Sequence, residues 1–207
     1  MKIKNFLTAM LLVLCTAICL NVQAQSPQDP TDETNLETQL FLIVGTNQDI
    51  DNAKLPATLD TVVKQLHSTL PFKNYRLAAT LINRVKNEGR LDLSWIGGQL
   101  TSPTGAASTV TPSFSQFKVR QVKIIRTTDN QQVVQMLGFN FGARIPIQTP
   151  GAIAANGAVA PSVAYENTGV STDISMRESE PVIVGTLNIG PSGDAIILVV
   201  SAKRTPR

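Results

Sequence analysis

Two cysteines, one histidine and one tryptophan are all that 207 residues contain of those types. Both cysteines, Cys15 and Cys19, sit inside an N-terminal apolar stretch. The rest of the chain therefore has no means to form a disulfide, a thiol nucleophile or a thiolate metal site. With His67 as the single histidine and the carboxylates scattered singly, no metal-ligand spacing is present and no metal or other cofactor is expected. No serine lies in a Gly-x-Ser-x-Gly elbow, and His67 falls at the border of an apolar helix face without an orienting acid in sequence. No catalytic residue is assigned, and the chain is not expected to be an enzyme. The apolar stretch, Phe6 to Leu20, runs about fifteen residues, short of the roughly 20 needed to cross a bilayer as a helix.

That stretch follows Lys2 and Lys4 and ends in Val22-Gln23-Ala24, with small or tolerated residues where a signal peptidase inspects the chain. Residues 1–24 are read as a cleavable signal peptide, cut between Ala24 and Gln25, with no stable membrane span left afterwards. Leu14 and Ile18 precede the two cysteines where lipoprotein signals resemble one another in carrying Gly, Ala or Ser, so a lipid anchor is not expected. Cleavage also removes Lys2 and Lys4 from 18 basic residues while all 15 acidic ones stay, which brings the formal charge from +3 to +1. A near-neutral mature chain without a basic run carries no electrostatic footprint for nucleic acid. Its length of about 180 residues is enough for one core or two small ones.

Residues 25–37, polar and without apolar period, read as a flexible leader. Thr38 to Thr46 reads as a strand buried on both faces, and Leu55, Leu59, Val62, Val63, Leu66 and Leu70 fall on one face of a helix. Asp51 or Asn52 would cap it, Pro56 suits its first turn and Pro71 ends it. From Tyr75 the period becomes two, with Tyr75, Leu77, Ala79, Leu81 and Val85 on one side. Asn87-Glu88-Gly89 then turns the chain into Leu91, Leu93 and Trp95, which suggests a hairpin. Residues 38–98 are accordingly a β-α-β-β subdomain, and 99–113, small, polar and proline-containing, are a linker loop.

In residues 114–207, a second, β-rich subdomain, the apolar phase shifts from Phe117 and Val119 to Val122 and Ile124, so a β-bulge is expected near Arg120-Gln121. Val133, Leu137, Phe139 and Phe141 are read on one face, with Gly138 marking a bulge or a close backbone approach. Residues 148–162 are Ala, Gly and Pro and read as a flexible loop. Val170 to Met176, Val182 to Ile189 and the apolar Ala195 to Ala202 are the closing strands, the last one central in its sheet. The fold class is α+β: mainly antiparallel β, one helix on a small sheet in the first half, a meander or sandwich in the second. Three candidate features receive bland readings. Glu178 and Glu180 are a solvated turn tip, Gly97-Gly98 and Gly138-x-x-x-Gly142 do not open helices as phosphate loops do, and Lys118, Arg120, Lys123 and Arg126 are a basic stripe with few aromatics.

Leu70-Pro71-Phe72-Lys73-Asn74-Tyr75-Arg76-Leu77, followed by a long strand, resembles a motif of exported bacterial envelope proteins. The segment Tyr165 to Val170, then Glu180-Pro-Val-Ile-Val-Gly185, then Ala195 to Lys203, is similar to the C-terminal end of the secretin family, the outer-membrane ring proteins of secretion and pilus systems. Secretins are far longer and carry a membrane-inserted barrel, for which this chain has no room. The resemblance implies an accessory or assembly component, periplasmic or secreted, acting through a protein partner in the envelope or as a homo-oligomer. Two rivals stand beside it: a binding or adhesion module using the loops at 99–113 and 148–162, and, more remotely, a hydrolase of unfamiliar type relying on His67.

Overall fold

In the computed structural model the described residues are 34–49, 55–97, 100, 111–149, 162–189 and 193–205. The expected signal peptide with its Ala24/Gln25 junction, the expected helix caps Asp51 and Asn52, and most of both loops lie outside them. Eight strands run in chain order: β1 (Asn35–Thr46), β2 (Asn74–Lys86), β3 (Gly89–Ile96), β4 (Phe114–Arg126), β5 (Gln132–Thr149), β6 (Ser162–Arg177), β7 (Val182–Ile189) and β8 (Asp194–Arg204). Among the described residues one α-helix, α1 (Asp60–Thr69), follows a 3-10 turn, Ala57–Leu59, in which the Leu59 N–H donates to the Pro56 carbonyl.

The strands form two antiparallel sheets, ordered β2-β1-β8-β7 and β3-β4-β5-β6. Between them lies the main core, built from Leu36, Leu40 and Leu42 of β1, Leu198 and Val200 of β8, and Phe117, Phe139 and Phe141 of the facing sheet. On the other side of the first sheet, Val62 and Leu66 of α1 close over Phe41, Ile43, Ile197 and Val199. This is why β1 and β8 read as near-continuous apolar runs: each is covered on both faces, one by a helix and one by a sheet. The α+β, β-rich class expected from the sequence is what the chain adopts, with β8 central between β1 and β7.

Several boundaries differ from the sequence expectation. β1 starts at Asn35, inside the segment read as leader, because Leu36 is fully buried and Glu37 pairs with Lys203 at 3.1 Å. The two supposed subdomains do not separate: strands of both halves share each sheet, and Thr34–Arg207 form one unit. The turn at Asn87-Glu88 is no hairpin, since β2 pairs with β1 and β3 with β4. It carries the chain between sheets, held by Asn87 N–H to Thr34 O, Glu88 N–H to Val122 O and Ile124 N–H to Asn87 Oδ1. β6 also starts earlier than Val170, so that Tyr165 to Gly169 are strand, paired along β5 as far as Thr149 with Ser162. Leu100, within the expected linker, is buried in the main core.

Bulges set which side chains face inward. The expected extra residue at Arg120-Gln121 is present, because the β3–β4 register slips between Gly89 and Leu91. It has a counterpart on β5, where the β5–β6 register slips between Met136 and Phe139 around Gly138 at φ 63°. Val134 and Met136 therefore face the core before the slip and Phe139 and Phe141 after it, so Val133 and Leu137 do not share the Phe139 face. The same happens on β2 across Ala78: Tyr75 and Leu77 pack with α1, whereas Ala79, Leu81 and Val85 pack in the main core.

Candidate interaction surfaces

Among the described residues no group of three or more His, Cys, Asp and Glu is placed to hold a metal ion. His67 is exposed on α1, its ring edge-on to Tyr75 with centroids 4.7 Å apart. Glu178 and Glu180 diverge. Glu180 is exposed, whereas Glu178 is half-buried and accepts from the Arg204 backbone N–H at 2.8 Å and from its guanidinium at 3.0 Å, so it is a structural clamp rather than a solvated tip. Gly97 bonds back to Ser113 at the β3–β4 connection, N–H to O at 2.9 Å, and Gly98 lies outside the described residues. Gly138 matches its expected role: a Cβ there would meet Arg120 Cβ at 3.0 Å, and its N–H donates to the Asp173 carboxylate.

What the chain does present is sheet edge and sheet face. Both sheets end on the same two sides. The Asn87-Glu88 turn joins edge strand β2 to edge strand β3, and the Glu178 to Pro181 turn joins edge strand β6 to edge strand β7. β2 carries Arg76, Arg84 and Lys86 and a bulge, so two copies of this edge would set like charges against each other. β7, VIVGTLNI, has one bulge, at Val184, but no charge and no proline over its 8 residues, and it is mostly half-buried.

The outer face of the β3-β4-β5-β6 sheet has two zones. Register places Arg90, Lys118, Arg120 and Lys123 on it, alternating with the core-facing Leu91, Val119 and Val122. Of the expected basic stripe, Arg126 lies at the end of β4, next to the turn. Lys118 meets Asp92 at 3.3 Å. Toward the far end the cross-strand row Ile96, Phe114, Arg144 and Asn167 borders a groove of about 510 Å³, lined also by Ser94 and Gln116, with Gly142 in its floor. Ile96 is 68% exposed and Phe114 37%. The Tyr165 ring leans on Phe114 at 5.8 Å, lies under the Arg144 guanidinium at 5.5 Å, and donates its O–H to Pro112 O at 3.2 Å. Sequence reading missed this groove, because Phe114, Gly142 and Tyr165 meet only through strand register; pairing β5 with β6 around the Ala/Gly/Pro segment is the signal that would have joined them.

No family model matches the chain, and no curated protein does. Among solved structures, the secretin-domain β-barrel of InvG from the Salmonella SPI-1 injectisome aligns at 10% identity over 84% of this chain and 64% of that one, with a TM-score of 0.35. A near-atomic cryo-EM structure of the same injectisome's secretin, InvG, aligns at 10% identity over 84% and 65%, with a TM-score of 0.34. The chain thus spans a little under two thirds of the structures it aligns with. Among the described residues no helix is long and apolar enough to cross a membrane, which leaves strands aside.

Proposed function

We propose that this is an exported envelope protein that works by protein contact, assembling side to side with copies of itself through its sheet edges as a component of a secretion or pilus system. The observation that carries the reading is β7, an uncharged edge strand lying beside edge strand β6 on one side of the molecule, with edges β2 and β3 on the other. Four successive antiparallel strands leave the first and last antiparallel to each other. Joining β7 of one copy to β2 of the next, and β6 to β3, therefore continues both sheets without changing their pattern. Such a head-to-tail contact closes into a ring when its rotation permits. A monomeric protein normally blunts an edge like β7 with charge or proline.

Sedimentation velocity and native mass spectrometry of the mature protein test this directly. Oligomers are expected at micromolar concentration. Thr186→Lys combined with Asn188→Lys, both exposed on β7, should return the protein to monomer with its melting temperature nearly unchanged. A wild type that stays monomeric at all concentrations, or a double variant that assembles as before, rules the edge reading out.

A further inference from the structure

Side-to-side assembly uses edges and leaves the outer face of the β3-β4-β5-β6 sheet uncovered. We infer that this face docks an acidic, extended segment of a partner protein, anchored by an apolar side chain in the groove over Gly142. Charge is the first ground. Arg90, Arg120, Lys123, Arg144 and Arg177 lie on this face by register, and among the described residues none of the five is in an ion pair. Two acids of this sheet are already engaged, Asp92 with Lys118 and Asp173 with the Gly138 N–H.

Shape is the second ground. Among the described residues nothing lies within 4 Å of where a Gly142 side chain would stand, so the groove reaches the sheet backbone beside the row of Ile96, Phe114 and Arg144. An apolar side chain seated there brings a neighbouring carboxylate against Arg144, whose guanidinium is already held over the Tyr165 ring. The aromatic groups argue against stacked bases, since Phe114 and Tyr165 lean on each other instead of standing as a row of free platforms. The apolar surface is one groove at the end of a charged face, not the continuous stripe that lies along a membrane interface.

The test is an NMR titration of the purified protein with acetyl-Glu-Glu-Leu-Phe-Glu-Glu-amide. Two control peptides replace either the four acids by Gln or the Leu-Phe pair by Gly-Gly. The parent peptide should shift the amides of Ser94, Gln116 and Gly142, and each control should bind about tenfold or more weakly. Arg144→Glu should weaken it similarly, and so should Gly142→Leu, which puts a side chain into the groove with its Cβ clear of the described residues. Equal binding of the Gly-Gly control, shifts confined to another face, or indifference to both substitutions overturns the proposal. Tighter binding at these amides by a single-stranded oligonucleotide or by anionic phosphatidylglycerol vesicles overturns the assignment to a protein partner. The Thr186 and Asn188 changes on β7 should leave the titration unaltered, so failure here and failure of edge assembly are separate results.

Discussion

Glu178, in the turn between β6 and β7, grips Arg204 at the end of β8: the Arg204 backbone N–H donates to Oε1 at 2.8 Å and its guanidinium to Oε2 at 3.0 Å. The clamp ties the turn between the two sheets to the last strand of one of them. Burial pushes the Glu178 carboxyl up, but the hydrogen bonds and charge of Arg204 outweigh it and hold the pKa below the ordinary 4.5.

Because the folded pKa lies below the unfolded one, the stabilisation is present above about 4.5 and is lost as pH falls through the folded value. Glu178→Gln should cost about 1 kcal/mol at neutral pH, in the range of a partly exposed pair with an added backbone bond. The loss should shrink on acidification. Thermal melts of both proteins from pH 7 to pH 3 measure the difference, which should narrow toward the acid end.

Gly138 and Gly142 lie four residues apart on β5, yet they should respond in opposite ways. Gly138 has φ 63° and faces the Arg120 Cβ, so Gly138→Ala forces a side chain into a left-handed backbone and a tight contact. A loss of about 1–3 kcal/mol is expected. Gly142 has open space around it among the described residues, and Gly142→Ala should stay within about 0.5 kcal/mol of wild type. Urea unfolding of the two variants separates them.

These positions also show how far the sequence could be read. The phase shift at Arg120-Gln121 was legible because β4 is apolar on one side and charged on the other. The equivalent shift on β2 was not: α1 covers Tyr75 and Leu77 while the facing sheet covers Ala79, Leu81 and Val85, so alternation runs on unbroken across Ala78 although the faces exchange. The Asn87-Glu88 turn read as a hairpin for a related reason. A short turn between alternating strands looks the same whether they pair with each other or with β1 and β4, and those partners are remote in sequence. The basic residues of β4 were visible singly; the face they share with Arg144 and Arg177 exists only through register.

The proposal of export rests on residues outside the described fold. The protein recovered from the periplasm or medium of an expressing bacterium should begin at Gln25, because Val22 and Ala24 occupy the positions a signal peptidase reads. N-terminal sequencing and intact mass decide it. A start at Met1, or a mass increment on Cys15 or Cys19, removes the argument for an envelope location.

Val184 and Ile197 look alike in sequence, each a branched residue in a closing apolar strand, but the fold treats them differently. Ile197 is fully buried between α1 and the central β8 backbone, with Phe41, Ile43 and Val199 around it. Val184 is half-buried at the register slip on edge strand β7, packed against the margin of the main core. A carboxylate at 197 would have to shed its water without a partner, at an effective cost of several kcal/mol. That is comparable to the whole stability of a small domain, about 5–15 kcal/mol. Ile197→Asp should therefore leave no folded protein by circular dichroism. Val184→Asp keeps one side of its carboxylate in water and should fold with a lowered melting temperature. Because it also places a charge on the β7 edge, the folded variant should sediment as a monomer, linking the packing of this strand to the assembly it is proposed to mediate.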